Sequence, residues 1–136
     1  MRSTAFGNIS LGDVDGDGDS DAMIVSFSNN TSSSIWINNG SGSFSDSGQS
    51  ILTNARTTCI ILADLDGDGD LDAFISRFNG DSNKVFFNDG TGILSDSGQS
   101  LGSGFSYDVS LGDLDGDGDL DAFITNNGAN TVWINN

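Results

Sequence analysis

The stretch DVDGDGDSD, Asp13 to Asp21, places an aspartate at every second position, and it returns as DLDGDGDLD from Asp64 and again from Asp113. Around it other segments recur in the same order. FSDSGQS at Phe44 comes back as LSDSGQS at Leu94, and IWINN at Ile35 as VFFND at Val85 and VWINN at Val132. The chain of 136 residues is therefore filled by copies of one unit of about 50 residues. One repeat domain, 1–136, is expected, with units at approximately 1–51, 52–101 and 102–136. The Gly/Ser-rich stretches fall inside the period and read as turns.

The hydrophobic pattern in each unit has period two, which predicts strands. Ile9 and Leu11, Ile60 and Leu62, and Val109 and Leu111 alternate just before each acidic stretch. After it come AMIV at Ala22, AFIS at Ala73 and AFIT at Ala122, runs suited to a strand buried on both faces. The segments at Ile35, Val85 and Val132 supply a third strand. Asn39-Gly40 and Asp89-Gly90 then provide a turn that accepts positive φ, leading into a fourth strand through Phe44 and Leu94. No proline interrupts any of them. The expectation is an all-β fold of β-propeller-like blades, four antiparallel strands each, with the last blade lacking its fourth strand. Known propellers close with about four to eight blades, so about three leave apolar faces at both ends and assembly through the end blades is expected.

The acidic stretch needs an electrostatic explanation. Two unit charges about 4 Å apart repel by about 4 kcal/mol at an effective dielectric of about 20, and one such turn holds several pairs. The four basic residues, Arg2, Arg56, Arg77 and Lys84, are scattered through the chain and none lies in these stretches. A bound cation resolves the repulsion. Oxygen donors without His or Cys select a hard ion, and a flexible loop of several carboxylates favours calcium over magnesium. The pattern D-x-D-x-D-G-x-x-D offers side chains at positions 1, 3, 5 and 9, a backbone carbonyl at position 7, and a glycine at position 6 for the sharp turn. The ligand sets are Asp13, Asp15, Asp17 and Asp21; Asp64, Asp66, Asp68 and Asp72; and Asp113, Asp115, Asp117 and Asp121. Asp19, Asp70 and Asp119 contribute through their backbone, giving about three calcium ions per chain. An EF-hand is excluded, because its twelfth position requires a carboxylate and here holds Ile24, Ile75 or Ile124 within a strand pattern.

SLGDVDGDGDSDAMI, IILADLDGDGDLDAFI and SLGDLDGDGDLDAFI resemble the calcium-binding blades of the FG-GAP and VCBS repeat families, over the full length of the chain. The resemblance implies a β-propeller blade with the calcium loop between its first two strands. It also implies a place among integrin-type and bacterial surface proteins.

Composition narrows the function further. The formal charge is -16, every one of the 20 acidic residues is Asp, and no basic surface is available for phosphates, so nucleic acid is excluded as a partner. No apolar run approaches the roughly 18 residues of a membrane span. Met1 leads into Arg2, Ser3 and Thr4 without an apolar segment, so no leader peptide is expected in this sequence. Cys59 has no partner for an internal disulfide and reads as a small buried apolar residue, with an intermolecular bridge as the minor alternative. Histidine and glutamate are absent and the paired aspartates are committed to metal, so an enzyme is not expected.

Two functions remain. One is an extracellular or cell-surface structural or adhesion protein that assembles with itself into a ring or filament. The other is a carbohydrate- or protein-binding, lectin-like propeller module, a fragment of a longer surface protein, using Trp36, Phe86, Phe87 and Trp133 as platforms, against which stands their recurrence at one blade position where packing needs bulk. Asn8, Asn29, Asn30 and Asn39 open N-x-S/T triplets and are candidate glycosylation sites.

Overall fold

The computed structural model describes residues 7–28, 31–102 and 104–136. Its elements are strands: β1 (Gly7–Gly12), β2 (Asp21–Ser26), β3 (Ser33–Asn38), β4 (Phe44–Ile51), β5 (Thr57–Ala63), β6 (Asp72–Arg77), β7 (Lys84–Asn88), β8 (Leu94–Asp96), β9 (Ser106–Gly112), β10 (Asp121–Asn126) and β11 (Thr131–Trp133). They form three antiparallel sheets in chain order, β1-β2-β3-β4, β5-β6-β7-β8 and β9-β10-β11. The expected blade-like, all-β architecture is therefore present, and none of the described residues is helical.

Period two fixes the register. Ile9 lies opposite Ile24 and Leu11 opposite Ala22, which is opposite Trp36 in turn, so these five side chains share one face of the first sheet. Met23 and Val25 emerge on the other face with Ile35 and Ile37. The second sheet repeats this, with Ile60, Leu62, Ala73, Ile75 and Phe86 on one face and Phe74 and Val85 on the other. Hence β2 and β6 are buried along most of their length, as their continuous apolar runs suit, whereas β10 buries Ala122 and Ile124 and exposes Phe123 on its other face.

The sheets pack face to face. Met23, Val25 and Ile35 meet Ile60, Ala73, Ile75 and Phe86 in one apolar cluster. Phe74 and Val85 meet Val109, Ala122 and Ile124 in a second, which also contains Cys59. A row of aromatic rings, Phe27 against Phe78 and Phe78 against Phe105 and Tyr107, crosses both junctions beyond the ends of β2 and β6. Each acidic stretch lies at the opposite ends of these strands, between the first and second strand of its sheet.

The β3–β4 connection is longer than its Asn-Gly pair implies. It runs from Asn39 to Ser43, with positive φ at both Gly40 and Gly42. The Asn39 carboxamide oxygen accepts the Ser41 and Ser43 backbone N–H groups and so closes the turn from within.

Candidate metal centre

Each acidic loop is organised by its first and last aspartates. Asp13 accepts the backbone N–H groups of Gly16 at 2.9 Å and Gly18 at 2.9 Å, one on each oxygen. Asp64 does the same for Gly67 and Gly69, and Asp113 for Gly116 and Gly118. To wrap around one carboxylate, the backbone turns through positive φ at Gly16 and Gly18, at Gly67 and Gly69, and at Gly116 and Gly118. An L-residue there is strained, which explains the glycine between successive aspartates.

The ninth position is buried completely. Asp21, Asp72 and Asp121 each have 0% of their surface exposed. One oxygen of each accepts the N–H of the second loop residue, Val14, Leu65 or Leu114, at 2.9, 2.9 and 2.7 Å. The other accepts the N–H of Asn38, Asn88 or Asn135, at the end of the third strand or just past it, at 2.8, 2.9 and 2.9 Å. Two charge-assisted bonds offset much of the cost of burying a carboxylate. Desolvation nevertheless pushes the Asp72 carboxyl above its usual range, against the pull of those two N–H groups.

The remaining side chains converge. Carboxylate oxygens of Asp13, Asp15 and Asp17 lie within 4.8 Å of one another, as do those of Asp64, Asp66 and Asp72 and those of Asp113, Asp115 and Asp121. Positions 1 and 3 thus meet in every loop, joined by position 5 in the first and position 9 in the other two. Asp68, Asp117 and Asp21 belong to no such group in their own loops, although Asp68 and Asp117 accept the next aspartate's N–H. At position 7 the side chains of Asp19 and Asp70 turn outward, to where a Cβ on Gly40 or Gly90 would collide with them.

Among the described residues no salt bridge reaches this charge. Those present among them, Arg77 with Asp81 and Lys84 with Asp96, do not touch a loop. Asp15 is held above the usual carboxylate range by desolvation and then by the charges of Asp21 and Asp17. Desolvation raises Asp66 and Asp115 as well, with Asp68 and Asp117 adding repulsion. Converging, all-oxygen, repulsive donors with open faces fit a hard divalent cation.

The other sequence candidates are placed as follows. Phe86 is buried between the first two sheets, Phe87 is half-buried, and Trp133 packs on Phe74 with ring centroids 6.3 Å apart. Trp36 is half-buried, its indole N–H donating to Ser34 Oγ. Asn39 is exposed in its turn, whereas Asn8 lies in β1 with its Oδ1 accepting the Ile60 N–H. Asn29 and Asn30 lie outside the described residues.

One set of residues was missed by the sequence reading. Asn88 Nδ2 donates back to the Val14 carbonyl of the preceding loop at 2.8 Å and to Leu71 of its own at 3.1 Å. Asn135 Nδ2 reaches the Leu65 carbonyl at 2.7 Å. These asparagines couple each sheet to the loop of the one before. Their signal was available, since the first Asn of INN, FND and INN is the same in every copy while the second varies.

A stack of antiparallel sheets with an acidic, cation-competent loop at the same place in each defines a β-repeat protein. A family model for FG-GAP-like repeats matches residues 13–75 and 64–124, most of the chain, and the protein belongs to that family. A search of curated proteins finds no match. Repeats of this family are structural elements and suggest a surface- or adhesion-type protein. No helix among the described residues is long and apolar enough to cross a membrane.

Proposed function

We propose that the protein is a calcium-stabilised structural or adhesion protein of the cell exterior, each acidic loop holding one ion, whose sheet stack assembles with further copies. The observation that carries this reading is the threefold recurrence of converging carboxylate oxygens that, among the described residues, no salt bridge neutralises. Side chains of Asp13, Asp15, Asp17 and Asp21, and their counterparts in the other loops, would hold the ion, with the carbonyls of Asp19, Asp70 and Asp119. Bound calcium supplies positive charge that cancels the loop repulsion. Without a carboxylate at the twelfth position, affinity belongs with extracellular modules, roughly 10⁻⁴ to 10⁻³ M, and such sites fill only where calcium is abundant.

A carbohydrate-binding reading has less support. At the repeated aromatic position Phe86 is core and Trp133 is packed on Phe74, so packing accounts for the recurrence. Of the glycosylation candidates, Asn39 has the exposed turn that a glycan needs, and peptide mass mapping without an added hexose there would remove it.

Thermal unfolding tests the proposal. Calcium at about ten times the dissociation constant stabilises by about 1.4 kcal/mol per site, so three coupled sites raise the midpoint by about 10 °C or more. An identical midpoint in millimolar calcium and in chelator would overturn it.

A further inference from the structure

We propose that the two ends of the sheet stack are the two halves of one interface, and that a second copy of this chain docks across it head to tail. The inference rests on the assembly reading above and gives it a geometry. Inside the chain the sheet-to-sheet contact is made twice, each time by the same positions. Val14 and Leu65, second in their loops, are 1% and 4% exposed because the next sheet covers them, while Leu114, their counterpart, is 51% exposed. On the receiving side, Ile60 is 3% exposed and Phe86 7%, whereas the same face of the first sheet leaves Ile9 56% and Leu11 63% exposed. The opposite face of the third sheet exposes Phe123, Val132 and Ile134, at positions that in the first sheet are the buried Met23 and Ile35 and the partly buried Ile37.

The polar contacts follow the same division. Asn88 makes two carboxamide bonds, one to its own loop and one to the preceding loop; Asn38 makes the first, to the Ser20 carbonyl at 3.1 Å. In the docked pair its second N–H meets the Leu114 carbonyl of the other copy. A Cβ on Gly92 would lie 3.3 Å from the Asp15 Cβ, so the β7–β8 turn is pressed against the preceding loop, while nothing lies within 4 Å of the corresponding point at Gly42. That space receives Asp115 of the second copy. Asn8 and Ser10 accept the Ile60 and Leu62 N–H groups, each at 3.3 Å, across the first junction. Ser110 holds the Ser10 position on the third sheet, and the Leu11 N–H of the other copy is its partner, whereas Asp108, at the Asn8 position, turns back onto the Val109 N–H at 3.0 Å.

The two ends thus differ from each other and complement each other, which defines a heterologous contact. It gives a closed ring if the rotation per copy returns to its start and a filament if it does not.

Two exposed-site variants separate the ends. Leu114→Asp damages the third-sheet end alone and Leu11→Asp the first-sheet end alone; both are read by light scattering in millimolar calcium at high chain concentration. We expect the unaltered protein to run at a multiple of its chain mass and each variant to run as a single chain. An equimolar mixture of the two should form a two-chain complex and nothing larger, because one intact head and one intact tail remain. A single cooperative thermal transition confirms that each variant folds, its midpoint lowered at most by the stabilisation that association supplies, and Leu114→Ser with Leu11→Ser is the milder pair if either does not fold. An unaltered protein that stays a single chain would overturn the assembly reading itself. Assembly that persists in either variant alone, or a mixture that stays single-chain, would overturn this interface and leave the assembly reading standing.

Discussion

Asp72 shows how much one residue does in this protein. Its side chain is a candidate ligand, and its two oxygens also tie the start of the loop, at Leu65, to the end of β7, at Asn88. Asp72→Ala leaves two buried N–H groups without partners, and we expect a loss of about 2–4 kcal/mol in urea unfolding, with Asp81→Ala, at an exposed ion pair, costing under about 1 kcal/mol. Cys59 makes a second prediction at this scale. Burial, helped by a hydrogen bond with Asp108, pushes its thiol up to about 11, so almost no thiolate exists at neutral pH. Its labelling by a thiol reagent should follow global unfolding; rapid labelling of the folded protein would contradict its place in the core. The burial of Cys59 was legible from its lone occurrence. The second role of Asp72 was not, because a D-x-D-x-D-G-x-x-D string reads as ligands and says nothing of which N–H groups a buried carboxylate accepts.

At the scale of the element, the loops and the third-strand asparagines act as pairs. Asn88→Ala removes a link between sheets as well as one within a sheet, and should cost more stability than Asn38→Ala, by about 1 kcal/mol in denaturant unfolding. Equal costs would mean that the bond across the junction contributes nothing. The loops also set a pH dependence. Asp15, Asp66, Asp72 and Asp115 have carboxyls raised above 3.8 in the fold, so between 3.8 and those raised values the folded protein binds more protons than the unfolded one. Stability without calcium therefore rises as pH falls from neutral toward about 4. Below 3.8 the order reverses, because the lowered carboxyls of Asp89 and Asp96, held by hydrogen bonds, lose their contribution. With calcium bound, protons compete with the ion and the trend from neutral downward inverts. Melting curves from pH 7 to 4, with and without calcium, check both signs. The strands themselves were legible because period-two alternation and the middle apolar runs leave little choice of face. The five-residue β3–β4 turn was not, since the second glycine, Gly42, and the closure by the Asn39 carboxamide belong to the turn's three-dimensional path.

For the whole molecule, three sheets in sequence order share two apolar junctions, and each junction is bolted at one end by an asparagine reaching back to an acidic loop. The repeat made this architecture readable, because identical segments in identical order must build identical units. Pairing between units was harder to read. It depends on which face of each sheet meets the next, and Ile9 and Ile60 look alike in sequence while one is exposed and the other covered. Calcium is the claim on which the rest depends, since a chain with formal charge -16 stacks its acidic loops along one edge. The direct measurement is equilibrium dialysis against radiolabelled calcium, from micromolar to about ten millimolar. We expect about three ions per chain with dissociation constants of roughly 10⁻⁴ to 10⁻³ M, and one fewer when Asp64 and Asp66 are replaced by asparagine. No saturable binding across that range, or a stoichiometry unaffected by the replacement, would contradict the account.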